Sequence, residues 1–287
     1  MFAGTASFAQ PALTALRDAG YEIVLVVTQP DRVAGRGLRL LQSGTKRLAL
    51  EMGLDVYQPE RIRDEAAQSR IRDVGADVMV VVAYGQILPA SLLHAPRLGT
   101  LNIHASLLPR HRGPAPIEWS ILSGDTETGV TIMQMDAGVD TGPILAQARL
   151  PLAPDATAGP LEGQLAGLGA RLLVRTLDDL VGGRITPVPQ PAEGATHAPR
   201  LRSEDGKLDP ATMSAEEIDR RVRALSERVG CWLTLNGAEV KVIRGQLDRA
   251  TSDGIPVPTI DGTYVALEVQ PPGRWRMPAA AWARGRR

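Results

Sequence analysis

Asn102 and His104 stand two residues apart in Thr100-Leu101-Asn102-Ile103-His104, a strand-like run whose other positions are apolar or β-branched. Side chains alternate along a strand, so both would leave the same face at its carboxyl end. A carboxamide and an imidazole side by side can donate to the oxygen of a tetrahedral acyl intermediate, a few kcal/mol per donor. The same pair also fits a strand-end cap beside a hydrogen-bonded structural histidine, and spacing alone leaves both readings open. A second stretch, Met135-Asp136-Ala137-Gly138-Val139-Asp140-Thr141-Gly142-Pro143, is a glycine-bearing loop with two acids. It lacks the regularly spaced oxygen ligands of a hard-cation loop, so no metal is expected. A carboxylate near His104 would raise the basicity of the ring, or take a proton from an attacking amine directly or through a water. A turn whose carboxylates bond local amides is the alternative.

Short apolar runs at 22–27, 77–83, 100–104 and 130–135 alternate with segments of helical period at 10–19, 44–53, 60–73 and 160–182. That alternation predicts a doubly wound, mostly parallel α/β domain of the Rossmann-like kind over residues 1–182, whose strand ends would carry the site. From Gly182 to Arg202, prolines and glycines replace apolar periodicity, which reads as a linker at 183–202. Beyond it, the capping box Ser214-Ala215-Glu216-Glu217 opens a helix, and runs at 232–235, 240–244 and 264–269 are punctuated by Asn-Gly and Asp-Gly turns. Residues 203–287 are therefore expected to form a small β-barrel of OB-like type.

The 287 residues, 44% apolar and 22% charged, exclude a disordered or fibrous chain. One cysteine, Cys231, allows no intramolecular disulfide, and no leader pattern or membrane-length apolar run is found, so a cytoplasmic setting away from membranes is expected. Lys+Arg and Asp+Glu both total 32, so only local charge can attract a polyanion. Residues 31–47 hold five bases, Arg32, Arg36, Arg39, Lys46 and Arg47, against one acid. The last 15 residues hold Arg274, Arg276, Arg284, Arg286 and Arg287 beside Trp275 and Trp282 and no acid. Two such patches fit a phosphate backbone, although from charge alone solvated loops and a frayed tail are the favoured reading. Gly4-Thr5 lacks a G-x-G-x-x-G continuation, and Gly35-Arg36-Gly37 is not a phosphate loop.

Gly4-Thr5-x-x-Phe8-Ala9, Thr28-Gln29-Pro30-Asp31-Arg32-x-Ala34-Gly35-Arg36-Gly37, the run from Ala76 to Gly85, Asn102-x-His104-x-Ser106-Leu107-Leu108-Pro109-Arg110-x-Arg112-Gly113, and the run from Gly129 to Gly142 occur in this order. Together they closely resemble the methionyl-tRNA formyltransferase family. The resemblance implies transfer of a formyl group from 10-formyltetrahydrofolate to the amino group of initiator methionyl-tRNA, releasing tetrahydrofolate, by a protein that is a monomer. Asn102, His104 and Asp140 match the family's catalytic positions: the first two as oxyanion donors, the third tuning His104 and moving protons. The folate would lie against Ser106, Leu107, Leu108 and Pro109, against Tyr84, Gly85, Gln86, Ile87 and Leu88, and against Met135, Asp136, Gly138 and Val139. Loop 31–47, with Arg36 foremost, resembles the family's basic loop at the acceptor stem, and the last domain its tRNA-binding domain, with Arg274 and Arg276. Only Met1-Phe2-Ala3 precede Gly4 where the family has a few residues more, so a longer first strand is expected to add stability. A sibling enzyme formylating an amino sugar or glycinamide ribonucleotide would share Asn102, His104 and Asp140 but would not need the basic loop or second domain. A catalytically silent RNA binder would not need the triad.

Overall fold

The computed structural model describes residues 1–34, 39–235, 237–247 and 254–285. The chain begins with β1 (Phe2–Gly4), α1 (Gln10–Asp18), β2 (Val26–Val27), the hairpin β3 (Arg32–Ala34) and β4 (Arg39–Leu41), and α2 (Gly44–Glu51). It continues through β5 (Val56–Tyr57), α3 (Glu65–Asp73), β6 (Met79–Val82), α4 (Ala90–Leu93), β7 (Thr100–His104) and α5 (Pro116–Leu122). Next come β8 (Glu127–Gln134), β9 (Ile144–Pro151), α6 (Ala158–Val181) and α7 (Ala215–Leu225). The chain ends with β10 (Cys231–Leu235), β11 (Ala238–Leu247), β12 (Ile255–Pro258), β13 (Thr263–Gln270), β14 (Met277–Pro278) and α8 (Ala279–Arg284). Two compact units result, one of residues 1–113, 127–151 and 162–197, the other of 114–126, 152–161 and 198–287.

The first unit carries a seven-stranded sheet in the order β5-β2-β1-β6-β7-β8-β9. The first five strands in that order run parallel; β8 is reversed against β7, and β9, antiparallel to β8, returns to the direction of the first five. Continuous apolarity reports burial on both faces and not direction, which is why the run at 130–135 reads as one more parallel strand in the sequence. Phe2 and Ala3 on β1, Val26 and Val27 on β2 and the whole of β6 are buried, while Met1, Ala3, Leu25, Val27, Ile71, Met79 and Val81 share one apolar core. Helix α1 starts with a proline in its first turn and buries Leu13 and Leu16; α2 starts at Ser43, whose side chain accepts from the Lys46 amide. At the end of β1, a Cβ on Gly4 would lie 2.7 to 3.0 Å from Phe2, Ala9 and the Val82 carbonyl, so the turn closes only on glycine. Thr5 then ties three strand ends together: its hydroxyl donates to the Tyr84 carbonyl at 2.9 Å and accepts from the Gln29 amide at 3.1 Å.

In the second unit, β10-β11-β13-β12 with β14 on β13 form a curved antiparallel half-barrel. Helix α7, opened by the Ser214–Glu217 capping box, buries Ile218, Val222 and Leu225. The charged end of the segment after α7 is used inside this unit, Arg228 pairing with Glu118 of α5 at 2.7 Å. Cys231 is fully buried, its thiol donating to the Arg221 carbonyl and pushed up to about 12 by burial. Among the described residues no helix is long and apolar enough to cross a membrane.

Candidate active site

His104 ends β7 and is buried. Its Nε2 lies 2.9 Å from the His111 carbonyl oxygen, so that nitrogen donates. Nδ1 lies 3.6 Å from Asp140 Oδ2, beyond a hydrogen bond, so the ring stands beside the carboxylate without being tied to it. Asp140 is held by backbone instead: Oδ2 accepts from the Gly113 amide at 2.8 Å. His111 and Asp140 both have positive φ, 59° and 53°, conformations that L side chains rarely adopt. Asn102, two residues back on β7 and half-buried, pairs in register with Val81 and Met133. Its carboxamide makes no hydrogen bond to protein among the described residues.

The antiparallel hairpin explains how Asp140 arrives. Strand β8 runs back along β7, the Met135 amide bonds the Thr100 carbonyl at 2.7 Å, and the loop must then fold over to bring residue 140 to the other end of β7. The fold-over is tight at Gly142, where a Cβ would collide with the Gln134 carbonyl oxygen. The two acids of the loop do different things. Asp136 Oδ1 accepts from the Gly138 amide at 2.9 Å and the Thr141 hydroxyl at 2.8 Å, the local turn that sequence offered as an alternative, whereas Asp140 faces His104.

The segment Ser106-Leu107-Leu108-Pro109 is pinned from β8 by a buried threonine that the sequence reading did not single out. Thr131 donates to the Ser106 carbonyl at 2.7 Å and accepts from the Leu108 amide at 3.1 Å and from Gln147 Nε2 at 2.9 Å. Gln147 also donates to the Leu108 carbonyl at 2.8 Å, and the Ser106 hydroxyl bonds the Arg110 carbonyl. The signal was present as a hydroxyl inside the apolar run Val130 to Met133, because a buried hydroxyl needs partners. In the 84–88 stretch the side chains of Tyr84 and Leu88 belong to the core, so these two can offer a ligand only backbone. Burial pushes the Tyr84 hydroxyl above the usual tyrosine range. Gln86 is engaged, its Oε1 accepting from the Ile62 amide at 2.8 Å. Gly85 has φ 91°, and Ile87 and Val139 are 92% and 68% exposed, apolar and uncovered.

Of the basic residues, Lys46 is engaged: Nζ lies 2.7 Å from Asp31 Oδ2, and Gln58 donates to the other carboxylate oxygen at 2.8 Å. Arg32, Arg47, Arg274 and Arg276 are exposed, and Trp275 between the last two is 81% exposed, while Trp282 is buried. Arg36 lies outside the described residues, and of Arg39 only the backbone is described, paired with Ala34. Among the described residues no cluster of three or more His, Cys, Asp or Glu could hold a metal ion.

Residues 1–177 match the family described as Formyl transferase, and residues 200–287 match the Formyl transferase C-terminal domain. A methionyl-tRNA formyltransferase from Halorhodospira halophila is 48% identical over 299 residues, spanning 100% of this chain and 96% of that protein. The chain belongs to the methionyl-tRNA formyltransferase family. It is an enzyme of formyl transfer. The solved methionyl-tRNA formyltransferase from Clostridium thermocellum shares the fold at TM-score 0.58 and 16% identity, covering 87% of this chain and 93% of that one. An N-formyltransferase from Helicobacter canadensis, solved with folinic acid and dTDP-3-aminofucose, aligns at TM-score 0.68 and 18% identity, covering 92% of this chain and 97% of that one. Fold therefore does not distinguish methionyl-tRNA formyltransferases from enzymes that act on other amines, and the full-length sequence identity does.

Proposed function

We propose that the chain takes the formyl group of 10-formyltetrahydrofolate and places it on the methionyl nitrogen of initiator methionyl-tRNA, releasing tetrahydrofolate, with Asn102, His104 and Asp140 around the reacting atoms. The observation that carries this reading is the arrangement at the end of β7. The His104 ring is fixed through Nε2 by the His111 carbonyl, its Nδ1 faces Asp140 at 3.6 Å, and the neighbouring Asn102 carboxamide is unengaged. As the amine adds to the formyl carbon, negative charge gathers on the formyl oxygen. Asn102 Nδ2 is the donor available to it, joined by His104 Nδ1 when the ring is the imidazolium, since Nε2 already donates to the His111 carbonyl. Asp140, aimed by the Gly113 amide, stabilises charge on the ring and accepts the proton that the amine sheds, directly or through a water. Collapse restores the formyl carbonyl and breaks the bond from the carbon to the folate nitrogen, which leaves carrying the proton that Asp140 took from the amine, returned directly or through the same water. The enzyme forms no covalent intermediate in this scheme, and Cys231 has no part in it.

The donor fits the remaining surfaces. Backbone at 84–88, 106–109 and 135–139, with exposed Ile87 and Val139, supplies apolar cover and a few hydrogen bonds for a flat ring. Arg32, Arg36, Arg39, Arg47, Arg274 and Arg276 are proposed to neutralise tRNA phosphates, in a cytoplasmic, monomeric protein. Transfer from 10-formyltetrahydrofolate is tested by comparing methionine-charged initiator tRNA, charged elongator tRNA and free amino sugars. Formylation of the initiator alone supports the reading; transfer to an amino sugar, or to none of these by folded protein, overturns it.

A further inference from the structure

Residues 188–197, which composition marks as part of a linker, are hydrogen-bonded along both halves of the His104–Asp140 pair. The Val188 amide and carbonyl bond the backbone of Ile144, at the exit of the Asp140 loop, at 2.8 and 2.7 Å. Gln190 Nε2 donates to the carbonyls of Asp140 at 2.9 Å and Gly142 at 2.7 Å, while its Oε1 accepts from Arg112 Nε at 3.0 Å and a terminal Arg112 nitrogen at 2.7 Å. The Thr196 hydroxyl accepts from the His111 amide at 2.8 Å, and the Thr196 carbonyl accepts from the Arg112 amide at 2.9 Å. His111 is the residue whose carbonyl fixes the His104 ring.

We infer that this segment is a positioning strap, with Gln190 as its central residue, that sets the spacing of the His104–Asp140 pair. Residue 140 has positive φ in a loop turned back on itself, a strained conformation that the structure around it must hold. A side chain with two donors and one acceptor oxygen can join the loop to the Gly113 side of the site in one step, because Arg112 is next to the amide that aims Asp140. The carboxamide suits this better than a carboxylate, which has no donor for the two carbonyls. Gln190 touches no reacting atom; it acts through Asp140.

The inference rests on the proposed role of Asp140, and the test separates the two. Gln190→Met keeps length and packing and removes every hydrogen bond; Gln190→Glu keeps the Arg112 pairing and loses the donations. With protein confirmed folded by melting, both variants are expected to lower kcat about tenfold while KM for tRNA and for folate stays within about twofold. In the Asp140→Asn background, Gln190→Met is expected to lower kcat no further, since the two act as one unit. Wild-type kcat in Gln190→Met, or full additivity with Asp140→Asn, overturns the strap while leaving Asp140 catalytic. An unimpaired Asp140→Asn enzyme overturns the catalytic reading and the strap with it.

Discussion

Asp140 Oδ2 lies 3.6 Å from His104 Nδ1 while the Gly113 amide bonds the same oxygen at 2.8 Å, so the carboxylate is aimed by backbone and the imidazole is left free to engage what enters. The opposite ring nitrogen is anchored on the His111 carbonyl at 2.9 Å. His104→Ala removes both the donor and the group through which Asp140 acts. It is expected to lower kcat by about 10²–10⁴-fold, the usual range for a positioned acid–base group. Neither residue lies among the proposed tRNA contacts, so filter binding should give a Kd for initiator tRNA within about threefold of wild type. Equal losses of transfer and binding would remove His104 from the chemistry.

Asn102 presents the cleaner experiment, because its carboxamide has no partner in the protein among the described residues and its removal breaks no internal hydrogen bond. Asn102→Ala should lower kcat by about 10²–10³-fold, as expected for loss of one oxyanion donor. Thermal melting should be nearly unchanged. A large drop in melting temperature with normal kcat per folded molecule would return Asn102 to the strand-end cap that its spacing also allows.

The strand that carries Asn102 and His104 was legible with both its ends, because β7 is short, its Leu101 and Ile103 alternate with the polar positions, and period two fixes which side chains share a face. The Asp140 loop was legible as a loop but its reach was not. Nothing in Val130 to Met135 says that β8 runs antiparallel, and that reversal is what forces the loop to double back to His104. Thr131 and Gln190 were missed for one reason: each works through hydrogen bonds to backbone distant in sequence, and composition reported only a strand and a linker. Lys46 shows the converse, a base counted in a charged patch whose partner Asp31 sits 15 positions away.

Thr131 has no exposed surface and satisfies the Ser106 carbonyl, the Leu108 amide and Gln147 at once. Thr131→Val keeps the shape and strands a buried amide, for a cost of about 1–3 kcal/mol. Urea unfolding should show that loss, and Thr131→Ser should recover most of it. Because residues 106–109 are proposed to line the folate, KM for the donor is expected to rise in Thr131→Val while KM for tRNA holds. A donor KM that does not move would separate this loop from folate binding.

The Asp31 carboxyl is held below the usual aspartate range, first by its hydrogen bond from Lys46, then by that from Gln58, with burial opposing both. A carboxyl depressed in the folded state releases its proton more readily there than in the unfolded chain. Its contribution to stability is therefore complete above the unfolded value of about 3.9 and is lost as pH falls through the lower folded one. The stability gap between wild type and Asp31→Asn should be constant above about pH 5 and should narrow in acid. The same pairing sets apart two neighbouring bases on α2. Lys46→Met leaves Asp31 without its counter-charge, so it should destabilise the fold and leave the salt dependence of tRNA binding nearly unchanged. Exposed Arg47→Met should do the reverse, lowering the slope of log K against log salt by about one and sparing stability. Titration of tRNA binding at several salt concentrations, with melting of each variant, distinguishes the two; a reduced slope in Lys46→Met would move that lysine into the RNA interface.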